Sequence, residues 1–328
     1  MATAKVWSLK QDFNGEPKLD DFVLKEEVLP SVKDGEILIE ALYLSIDPYV
    51  RMFITTDGLP GEQVARITQS RAPGFPEGAL VSARAGWRSK TVAAVNKPLG
   101  FGNKIELLEV VPGLSPSLWL GAAGMPGGTA FLGFQRCNPK EGETIVVSAA
   151  SGAVGSIVGQ LAKLQGLKAV GLVGSEEKCE YIKKIGFDHA VNYKQENISQ
   201  VLERVASNGV DIYFDNVGGN ISDTVYGKLR ESGRVLVCGQ ISTYNKPEAK
   251  VTNWNNDIIL KELKIEGYNN SSTRSAREFP TARRALISLL QQGKLKAMEH
   301  ITEGFENMPK AFLELFSGSN IGKAIVRV

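Results

Sequence analysis

The chain of 328 residues contains few of the side chains that bind metals or form disulfides. It has three cysteines and two histidines. Three thiols fall short of a four-cysteine zinc site, and they cannot all pair in disulfides. The sequence therefore predicts a reduced, intracellular protein without a metal ion, and we expect a cytoplasmic location.

Long hydrophobic runs and an excess of either charge are also missing. No segment approaches the ~20 apolar residues of a membrane-spanning helix. Residues 1–10 lack the features of a secretory or transit peptide. The 38 Lys and Arg residues nearly balance the 36 Asp and Glu residues. This composition argues against nucleic acid and membranes as partners.

The length exceeds the roughly 250–300 residues that one hydrophobic core usually serves, which indicates two domains. Over residues 1–120, short apolar runs alternate with Gly and Pro breaks, so the sequence predicts a β-rich, mostly antiparallel domain. Over residues 121–299, apolar strands alternate with helical patterns, which predicts a doubly wound parallel sheet and an α/β fold. Residues 300–328 show a strand, helix, strand pattern that by itself fits either domain.

The elements of the second domain follow from apolar runs and helical periodicity. Strands are predicted at 144–148, 168–173, 210–215 and 234–238, and helices at 154–164, 176–185 and in a segment ending near Glu231.

The turn after the first of these strands has the last two glycines of a dinucleotide-binding pattern, Gly152 and Gly155. Ala150 stands where the first glycine would be. In the strand–turn–helix context, Gly152 would let the backbone approach a pyrophosphate and Gly155 would let the helix pack closely. We include Ala153 and Val154 in the predicted site, because helix N–H groups bind anions. The alternative is an ordinary turn of small residues.

The choice between NAD(H) and NADP(H) is predicted from the end of the second strand. The acidic residue that usually binds the ribose of NAD(H) is missing there. Glu176 and Glu177 follow, but they fit the first turn of a helix. The Ser175 hydroxyl with Lys178 nearby suits a 2′-phosphate, so NADP(H) is the predicted cofactor. Lys178 could equally be a solvated lysine, and Tyr193 could stack near the adenine or simply pack.

Five strings, in the same order along nearly the whole chain, resemble the zinc-independent prostaglandin reductase branch of the medium-chain dehydrogenases/reductases. This branch is also called leukotriene B4 12-hydroxydehydrogenase and is related to plant alkenal double-bond reductases. The strings are SIDPYVR at 45–51, GMPGGTA at 124–130, FDNVGG at 214–219, CGQISTYN at 238–245 and EGFENMP at 303–309. The resemblance implies a GroES-like β-rich domain completed by residues 300–328, a Rossmann domain over 121–299, and a homodimer.

The resemblance also implies the activity, which is NADPH-dependent reduction of the carbon–carbon double bond of α,β-unsaturated ketones and aldehydes, including eicosanoids. Further residues are expected to bind the cofactor. They are Thr129, Asn216, Cys238, Gly239, Ile241, Ser242, Thr243, Tyr244, Asn269, Asn270, Ser271 and Asn320. One segment departs from the family: residues 268–272 read YNNSS, which predicts an unusually polar pocket wall.

Two tyrosines are the catalytic candidates. Hydride addition to an enone leaves negative charge on the carbonyl oxygen, which a hydrogen-bond donor can stabilise without a metal. Tyr244 is the first candidate, because its loop should face the cofactor, and Tyr49 follows a turn that should project it. Either could instead be a packed aromatic residue, and Tyr244 could serve cofactor binding alone. Cys238 is expected to be buried rather than nucleophilic.

Three other functions stay open. A quinone reductase of the same superfamily would share the fold, the metal-free site and NADPH. Slow oxidation of an eicosanoid hydroxyl with NADP⁺ is the second. A non-catalytic NADPH-binding protein is the third, and the polar segment at 268–272 is the feature that favours it.

Overall fold

The computed structural model describes residues 2–56, 58–100, 105–246 and 254–328, and the chain divides into two compact units. The first unit consists of Met1–Leu120, Glu299–Asn320 and Ala324–Val328. The second consists of Gly121–Met298 and Ile321–Lys323. Within the described ranges, no helix combines the length and apolar character that crossing a membrane requires.

Strands and helices are numbered in chain order. The strands are β1 (Thr3–Leu9), β2 (Phe22–Val28), β3 (Glu36–Ser45), β4 (Gln63–Ser70), β5 (Leu80–Ala83), β6 (Lys90–Ala94), β7 (Glu106–Leu107), β8 (Thr144–Ser148), β9 (Lys168–Val173), β10 (His189–Asn192), β11 (Val210–Asp215), β12 (Leu229–Val237), β13 (Lys264–Gly267), β14 (Glu299–Glu303) and β15 (Lys323–Arg327). The α-helices are α1 (Met125–Arg136), α2 (Gly155–Leu164), α3 (Glu176–Lys184), α4 (Ile198–Val205), α5 (Gly219–Tyr226), α6 (Asn255–Leu260), α7 (Thr273–Gln291) and α8 (Met308–Ser317).

The first unit is built on an antiparallel sheet, as the Gly- and Pro-punctuated pattern predicts. Its strand order is β14-β15-β3-β4-β5-β7, with β6 also paired to β3, and β1 and β2 form a separate hairpin. Along β3 the side chains alternate, so that Ile37, Ile39 and Ala41 are buried while their neighbours are half-buried. This period of two is what a half-buried strand requires. The prediction of a β-rich domain is confirmed.

The C-terminal segment contributes to the core and the sheet of the first unit. Ile325 of β15 pairs with Ser45 of β3 in antiparallel register. The Phe312 ring of α8 packs edge-on against Trp87 with 5.6 Å between ring centroids. Both rings are fully buried, and a contact of this geometry stabilises the cluster beyond its buried area. The C-terminal segment therefore completes a hydrophobic core whose other residues come from much earlier in the chain.

The second unit is built on a parallel sheet. Its strand order is β10-β9-β8-β11-β12-β13, and each neighbouring pair is parallel. Strands β9 and β11 are buried along nearly their whole length, as strands covered on both faces are. The strand order reverses between β8 and β11. Ligands of doubly wound sheets bind at the carboxyl ends of the strands flanking such a reversal. The α/β fold prediction is confirmed.

One predicted boundary in this unit is wrong. The helix expected to end near Glu231 ends at Tyr226, and β12 begins at Leu229 instead of Arg234. Leu229 pairs with Val210 of β11 before the register shifts, so tertiary pairing extends the strand backwards. The strand is irregular at Ser232, which has a φ of 58°. The residues before Arg234 show no strand periodicity, so the sequence pattern did not reveal where β12 begins.

Candidate cofactor site

The turn between β8 and α2 has the compactness of a dinucleotide-binding turn. A Cβ at Gly155 would lie 2.4 Å from the Ala149 carbonyl oxygen, so only glycine lets α2 start this close to the strand. At Gly152 the same atom would lie 3.2 Å from that oxygen, and apart from the adjacent residues no other atom of the described part of the chain comes within 4 Å. The protein itself thus requires Gly155, whereas Gly152 leaves its side open to an incoming group. Ala153 and Val154, between them, are half-buried.

The segment after β11 adjoins this turn at the sheet reversal. The Asn216 amide donates to the Ser148 carbonyl oxygen at 2.8 Å, and the Asn216 N–H donates to the Ser148 hydroxyl at 2.9 Å. Ser148 is the last residue of β8, immediately before the glycine turn. Asn216 and the Gly152–Gly155 turn are therefore brought together at the carboxyl ends of neighbouring strands.

The loop after β12 packs against the segment after β11. The Ser242 hydroxyl donates to the Val217 carbonyl oxygen at 2.7 Å. A Cβ at Gly239 would lie 3.1 Å from the Asn216 carbonyl oxygen, so Gly239 permits the close approach of the two segments. The Tyr244 hydroxyl accepts the Gln240 N–H at 3.4 Å. Cys238, Ile241, Ser242 and Thr243 lie on this loop and are half-buried.

Burial raises the pKa values of the titratable groups in this loop. It raises the pKa of Tyr244, against an opposing effect from the Gln240 N–H, so the phenol stays protonated at neutral pH. It raises the pKa of the Cys238 thiol to about 12, with a further contribution from the Asp215 carboxylate. A thiol with that pKa is not a nucleophile at neutral pH. The Tyr244 phenol is therefore a neutral hydroxyl in this loop.

A second group of predicted residues lies at the ends of β9 and β10. The Ser175 hydroxyl accepts the Lys178 N–H at 3.3 Å and caps α3. The hydroxyl hydrogen can still donate to a ligand. A Cβ at Gly174 would lie 2.7 Å from the Tyr193 hydroxyl oxygen and 3.4 Å from Lys194 Cε, so both side chains reach over the end of β9. The structure thus brings Ser175, Lys178 and Tyr193 to one corner of the sheet.

Lys194 is a residue of this corner that the sequence pattern did not single out. Burial lowers the pKa of Lys178, and the positive charge of Lys194 lowers it further, while Glu177 opposes both. Two cations that disfavour each other are stabilised by a bound anion. The signal available in the sequence was the adjacency of Lys194 to Tyr193 after a strand, where the parallel sheet brings β10 beside β9.

The polar segment at 268–272 forms the connection from β13 to α7. The Ser272 hydroxyl accepts the Ser275 N–H at 3.2 Å and caps the helix. The Asn269 side-chain oxygen accepts the Ser271 N–H at 2.8 Å, and the Asn269 carbonyl oxygen accepts the Ser275 hydroxyl at 2.9 Å. Asn270 accepts the Tyr268 hydroxyl at 3.4 Å. Much of the polarity of the segment is therefore used within the protein.

Three further predicted residues belong to other segments of the chain. Thr129 is buried in α1 and its hydroxyl contacts the Met125 sulfur at 3.6 Å. Tyr49 belongs to the first unit, where its ring contacts Phe53 edge-on and packs against the core. Burial, with the Asp47 carboxylate as a second cause, raises the pKa of Tyr49 well above its ordinary value. Asn320 is half-buried and ends the second segment of the first unit.

The described residues do not form a metal site. Among residues 2–56, 58–100, 105–246 and 254–328, no three His, Cys, Asp or Glu side chains come together in a group that could hold an ion. Cys137, Cys179 and Cys238 are free thiols. The donor set of a catalytic zinc, usually three protein ligands, is thus not assembled in that part of the chain.

A parallel sheet with a glycine turn at its strand reversal defines the second unit as a dinucleotide-binding domain of the Rossmann class. Two family models match the chain: "Zinc-binding dehydrogenase" over residues 153–288 and "N-terminal domain of oxidoreductase" over residues 5–99. The chain is 45% identical to prostaglandin reductase 1 of Bos taurus over 336 aligned positions, covering 100% of both proteins. The chain therefore belongs to the prostaglandin reductase branch of the medium-chain dehydrogenases/reductases, as its motifs predict.

Two further relatives extend the comparison. The 2-alkenal reductase (NADP(+)-dependent) of Nicotiana tabacum is 37% identical over 338 positions, covering 98% of this chain and 96% of the tobacco protein. The crystal structure of CurA from Vibrio vulnificus in complex with NADPH superposes with a TM-score of 0.91 at 33% identity, covering 99% of each chain. Similarity thus extends over both units.

Proposed function

We propose that the protein reduces the carbon–carbon double bond of α,β-unsaturated ketones and aldehydes with NADPH. The observation that carries this proposal is the 45% identity, over the full length, to a prostaglandin reductase 1. The glycine turn and the paired lysines of the second unit support it, because they suit a phosphorylated dinucleotide. The tobacco relative, named for 2-alkenals and NADP(+), supports the same reaction class.

When bound, NADPH supplies the hydride. We propose that the Gly152–Gly155 turn binds its pyrophosphate, and that Ser175, Lys178, Tyr193 and Lys194 surround its 2′-phosphate. The open space beside Gly152 supports the pyrophosphate assignment. The mutual repulsion of Lys178 and Lys194 supports the 2′-phosphate assignment. The remaining proposed cofactor residues are Thr129, Asn216, Cys238, Gly239, Ile241, Ser242, Thr243, Tyr244, Asn269, Asn270, Ser271 and Asn320.

We propose Tyr244 as the hydrogen-bond donor to the substrate oxygen, with Tyr49 as the second candidate. The developing enolate needs a donor that stays protonated, and both phenols have pKa values raised by burial. The Tyr244 oxygen already accepts the Gln240 N–H, so its own hydrogen can be donated outward. We assign substrate contacts to residues 1–120 with 300–328, and cofactor binding to 121–299 together with Asn320.

The substrates are proposed to include eicosanoid-type enones. The names of the prostaglandin reductase relatives support this choice, and the tobacco name supports shorter alkenals. A comparison of kcat/KM for a 15-oxoprostaglandin and for a short alkenal separates the two preferences. Turnover of the short alkenal alone would contradict the eicosanoid proposal.

The proposal is tested by mixing the protein with NADPH and a series of enals, enones and quinones, and following cofactor absorbance. We expect oxidation of NADPH with enals and enones, and a product whose alkene, not its carbonyl, is reduced. Tyr49→Phe should bind NADPH normally, whereas Tyr244→Phe should bind it more weakly, because Tyr244 is also a proposed cofactor residue. At saturating NADPH, the variant that lacks the donor should lose kcat. Tight NADPH binding without turnover of any enone would overturn the proposal, and turnover of quinones alone would favour a quinone reductase.

We propose that the protein forms a homodimer through the edge strand β13. All four residues of β13 are exposed, and Ile259 and Leu260 of the preceding helix α6 are 70% and 80% exposed. An exposed sheet edge beside apolar side chains is a surface that pairing with another chain would cover. Light scattering should give twice the 35.5 kDa of one chain, and Leu260→Glu should shift the protein towards the monomer. A wild-type monomer would contradict the proposal.

We also propose a cytoplasmic location. Free Cys137, Cys179 and Cys238 support it, because thiols persist in reducing compartments. Fractionation of cells that express the protein tests this, and recovery with a secreted or membrane fraction would contradict it.

A further inference from the structure

A buried carboxylate lies beneath the candidate cofactor site. Asp215, the last residue of β11, is 3% exposed. Its Oδ1 accepts the backbone N–H groups of Val217 at 2.9 Å and Gly218 at 3.0 Å. Its Oδ2 accepts the Ser222 hydroxyl of α5 at 2.7 Å. The carboxylate is therefore bonded both to the turn that follows its own strand and to the helix after that turn.

Two further hydroxyls donate to the same carboxylate. The Tyr213 phenol reaches Oδ1 at 3.0 Å, and the Ser148 hydroxyl of β8 reaches it at 3.3 Å. The Ser148 oxygen in turn accepts the N–H of Asn216. All five donors are neutral. A buried carboxylate is stable in such surroundings only while several well-oriented hydrogen bonds replace its water.

Asp215 also joins the end of the next strand through its backbone. Its carbonyl oxygen accepts the N–H of Cys238 at 2.8 Å and of Gly239 at 3.1 Å. One residue is thus bonded to the ends of β8, β11 and β12. These are the three ends that lead into the glycine turn, the Asn216 segment and the loop of Tyr244.

The Asn216–Gly219 turn has a conformation that needs external support. Gly218 and Gly219 have φ values of 71° and 61°, in the region that only glycine adopts readily. Glycine carries the largest backbone entropy in alternative conformations, so an unsupported turn of this kind would sample many of them. The Asp215 carboxylate binds two consecutive N–H groups at its start, and this restricts the turn.

We propose that Asp215 is a positioning residue that holds the Asn216–Gly219 turn, and the strand ends beside it, in the NADPH-binding conformation before NADPH arrives. The proposal rests on the proposed NADPH function of the site. A preformed site loses less conformational entropy on binding, and removal of the support lowers affinity without removal of any contact to the ligand.

The test is Asp215→Asn, which keeps the shape but removes the charge and turns an NH₂ group towards the donors. We expect the Kd for NADPH to rise about tenfold or more, which is about 1.4 kcal/mol of binding free energy. Without cofactor, hydrogen exchange at the Val217 and Gly218 amides should become faster. Both are measured on the full chain, by fluorescence titration and by mass spectrometry.

The matched control is Asp211→Asn, because Asp211 is also buried, at 6% exposed, and lies at the other end of β11. It accepts the Thr144 N–H at 2.8 Å and pairs with Arg230 at 2.8 Å. We expect this variant to lower the melting temperature but to change the NADPH Kd by less than about twofold, as for independent sites. Its Val217 and Gly218 amides should exchange as in the wild type.

Equal NADPH affinity and equal amide exchange in the two variants would overturn the proposal. If Asp215→Asn does not fold, Ser222→Ala decides, because it removes the donor to Oδ2, together with the 2.9 Å contact to the Tyr213 hydroxyl, and leaves the carboxylate in place. Weaker NADPH binding with faster exchange at Val217 and Gly218 would then support the proposal, and wild-type values would overturn it. A wild-type protein that binds no NADPH would overturn the proposed function together with this proposal, whereas normal wild-type binding confines a failure to Asp215.

Discussion

The two ends of β11 each carry a buried aspartate, and the surroundings of the two carboxylates differ in kind. At the amino end, Asp211 pairs with Arg230 at 2.8 Å, and next to it Arg234 pairs with Glu143 at 2.5 Å. At the carboxyl end, Asp215 is bonded to neutral N–H and O–H groups. At the amino edge of the sheet, opposite charges are paired. At the carboxyl edge, the dipoles of neutral N–H and O–H groups stabilise the charge of Asp215.

The cations of the carboxyl edge show what this difference means. Lys178 has a pKa lowered first by burial and then by Lys194, so the corner is less favourable for positive charge than water. Arg234 at the amino edge pairs with Glu143 and donates to the Asn138 carbonyl oxygen at 2.7 Å. Proteins keep unfavourable charge arrangements mainly where a ligand later relieves them. We therefore propose that the amino edge serves stability and the carboxyl edge serves NADPH binding.

The largest effect is expected from Arg234→Met at the amino edge. Its loss leaves the largely buried Glu143 carboxylate without its cation, which should lower the free energy of unfolding by about 3 kcal/mol. Urea denaturation measures this, and the NADPH Kd should stay unchanged. Arg274→Met is the control, because its 3.2 Å pair with Glu278 is exposed and should cost no more than about 0.5 kcal/mol. A weakened NADPH affinity in Arg234→Met would break the division between the two edges.

Within the glycine turn, we expect Gly155 to serve stability and Gly152 to serve NADPH binding. Gly155→Ala places a methyl group 2.4 Å from the Ala149 carbonyl oxygen, so we expect a loss of about 2 kcal/mol in stability. Gly152→Ala meets the same oxygen at 3.2 Å and should change the melting temperature little while it weakens NADPH binding. Calorimetry and NADPH titration of both variants check this. Equal destabilisation by the two substitutions would mean that Gly152, too, serves only packing.

Substitution of Lys178 or Lys194 should weaken the binding of NADPH but not that of NADH. Lys178→Ala should raise the NADPH Kd about tenfold, about 1.4 kcal/mol, and leave the NADH Kd unchanged, with a smaller effect in the same direction for Lys194→Ala. Because the pKa of Lys178 is lowered, the preference for NADPH should fall as rising pH removes its proton. Lys184→Ala, an exposed lysine of the same helix, is the control. Equal effects on both cofactors would contradict the phosphate role.

The smallest effect is expected from the buried thiols at alkaline pH. Burial raises the pKa of Cys137 from 9.0 to about 12, so the folded state keeps a proton that the unfolded state loses. Its stabilising contribution is fully present well below pH 9 and is lost progressively as the pH rises through 9 towards 12. Thermal unfolding at pH 8 and pH 10 measures the slope, which Cys137→Ala should flatten. Identical slopes would contradict the assignment.

Much of the second unit was predictable because its signals are local. The strands at 144–148, 168–173 and 210–215 have the predicted bounds, since continuous apolar runs ended by polar residues or Gly leave few alternatives. The helix predicted to reach Glu231 is wrong, because pairing of Leu229 with Val210 extends a strand into a segment without strand periodicity. Local patterns do not include the partner strand.

The candidate site was predictable in part. The glycine turn carries its own signal, and its context could be found from the flanking elements. The role of Asp215 could not be found, because its donors come from β8, from its own turn and from α5. Lys194 was missed for a similar reason, since its nearness to Lys178 depends on the pairing of β9 with β10. The polar segment at 268–272 suggested a polar pocket, and its capping of α7 emerges only from the folded chain.

The sequence by itself determined the alternation of elements, the glycine turn and the family, since each depends on short-range periodicity or on strings of adjacent residues. The tertiary structure alone decided which polar and charged groups are bonded to one another within the protein. Those bonds join residues that are far apart in the chain, such as Ser148 with Asp215 and Glu143 with Arg234. Parallel pairing brings the two groups of each pair to the same edge of the sheet. Because the groups are buried there, each hydrogen bond or charge pair that is made or missing changes the free energy of folding.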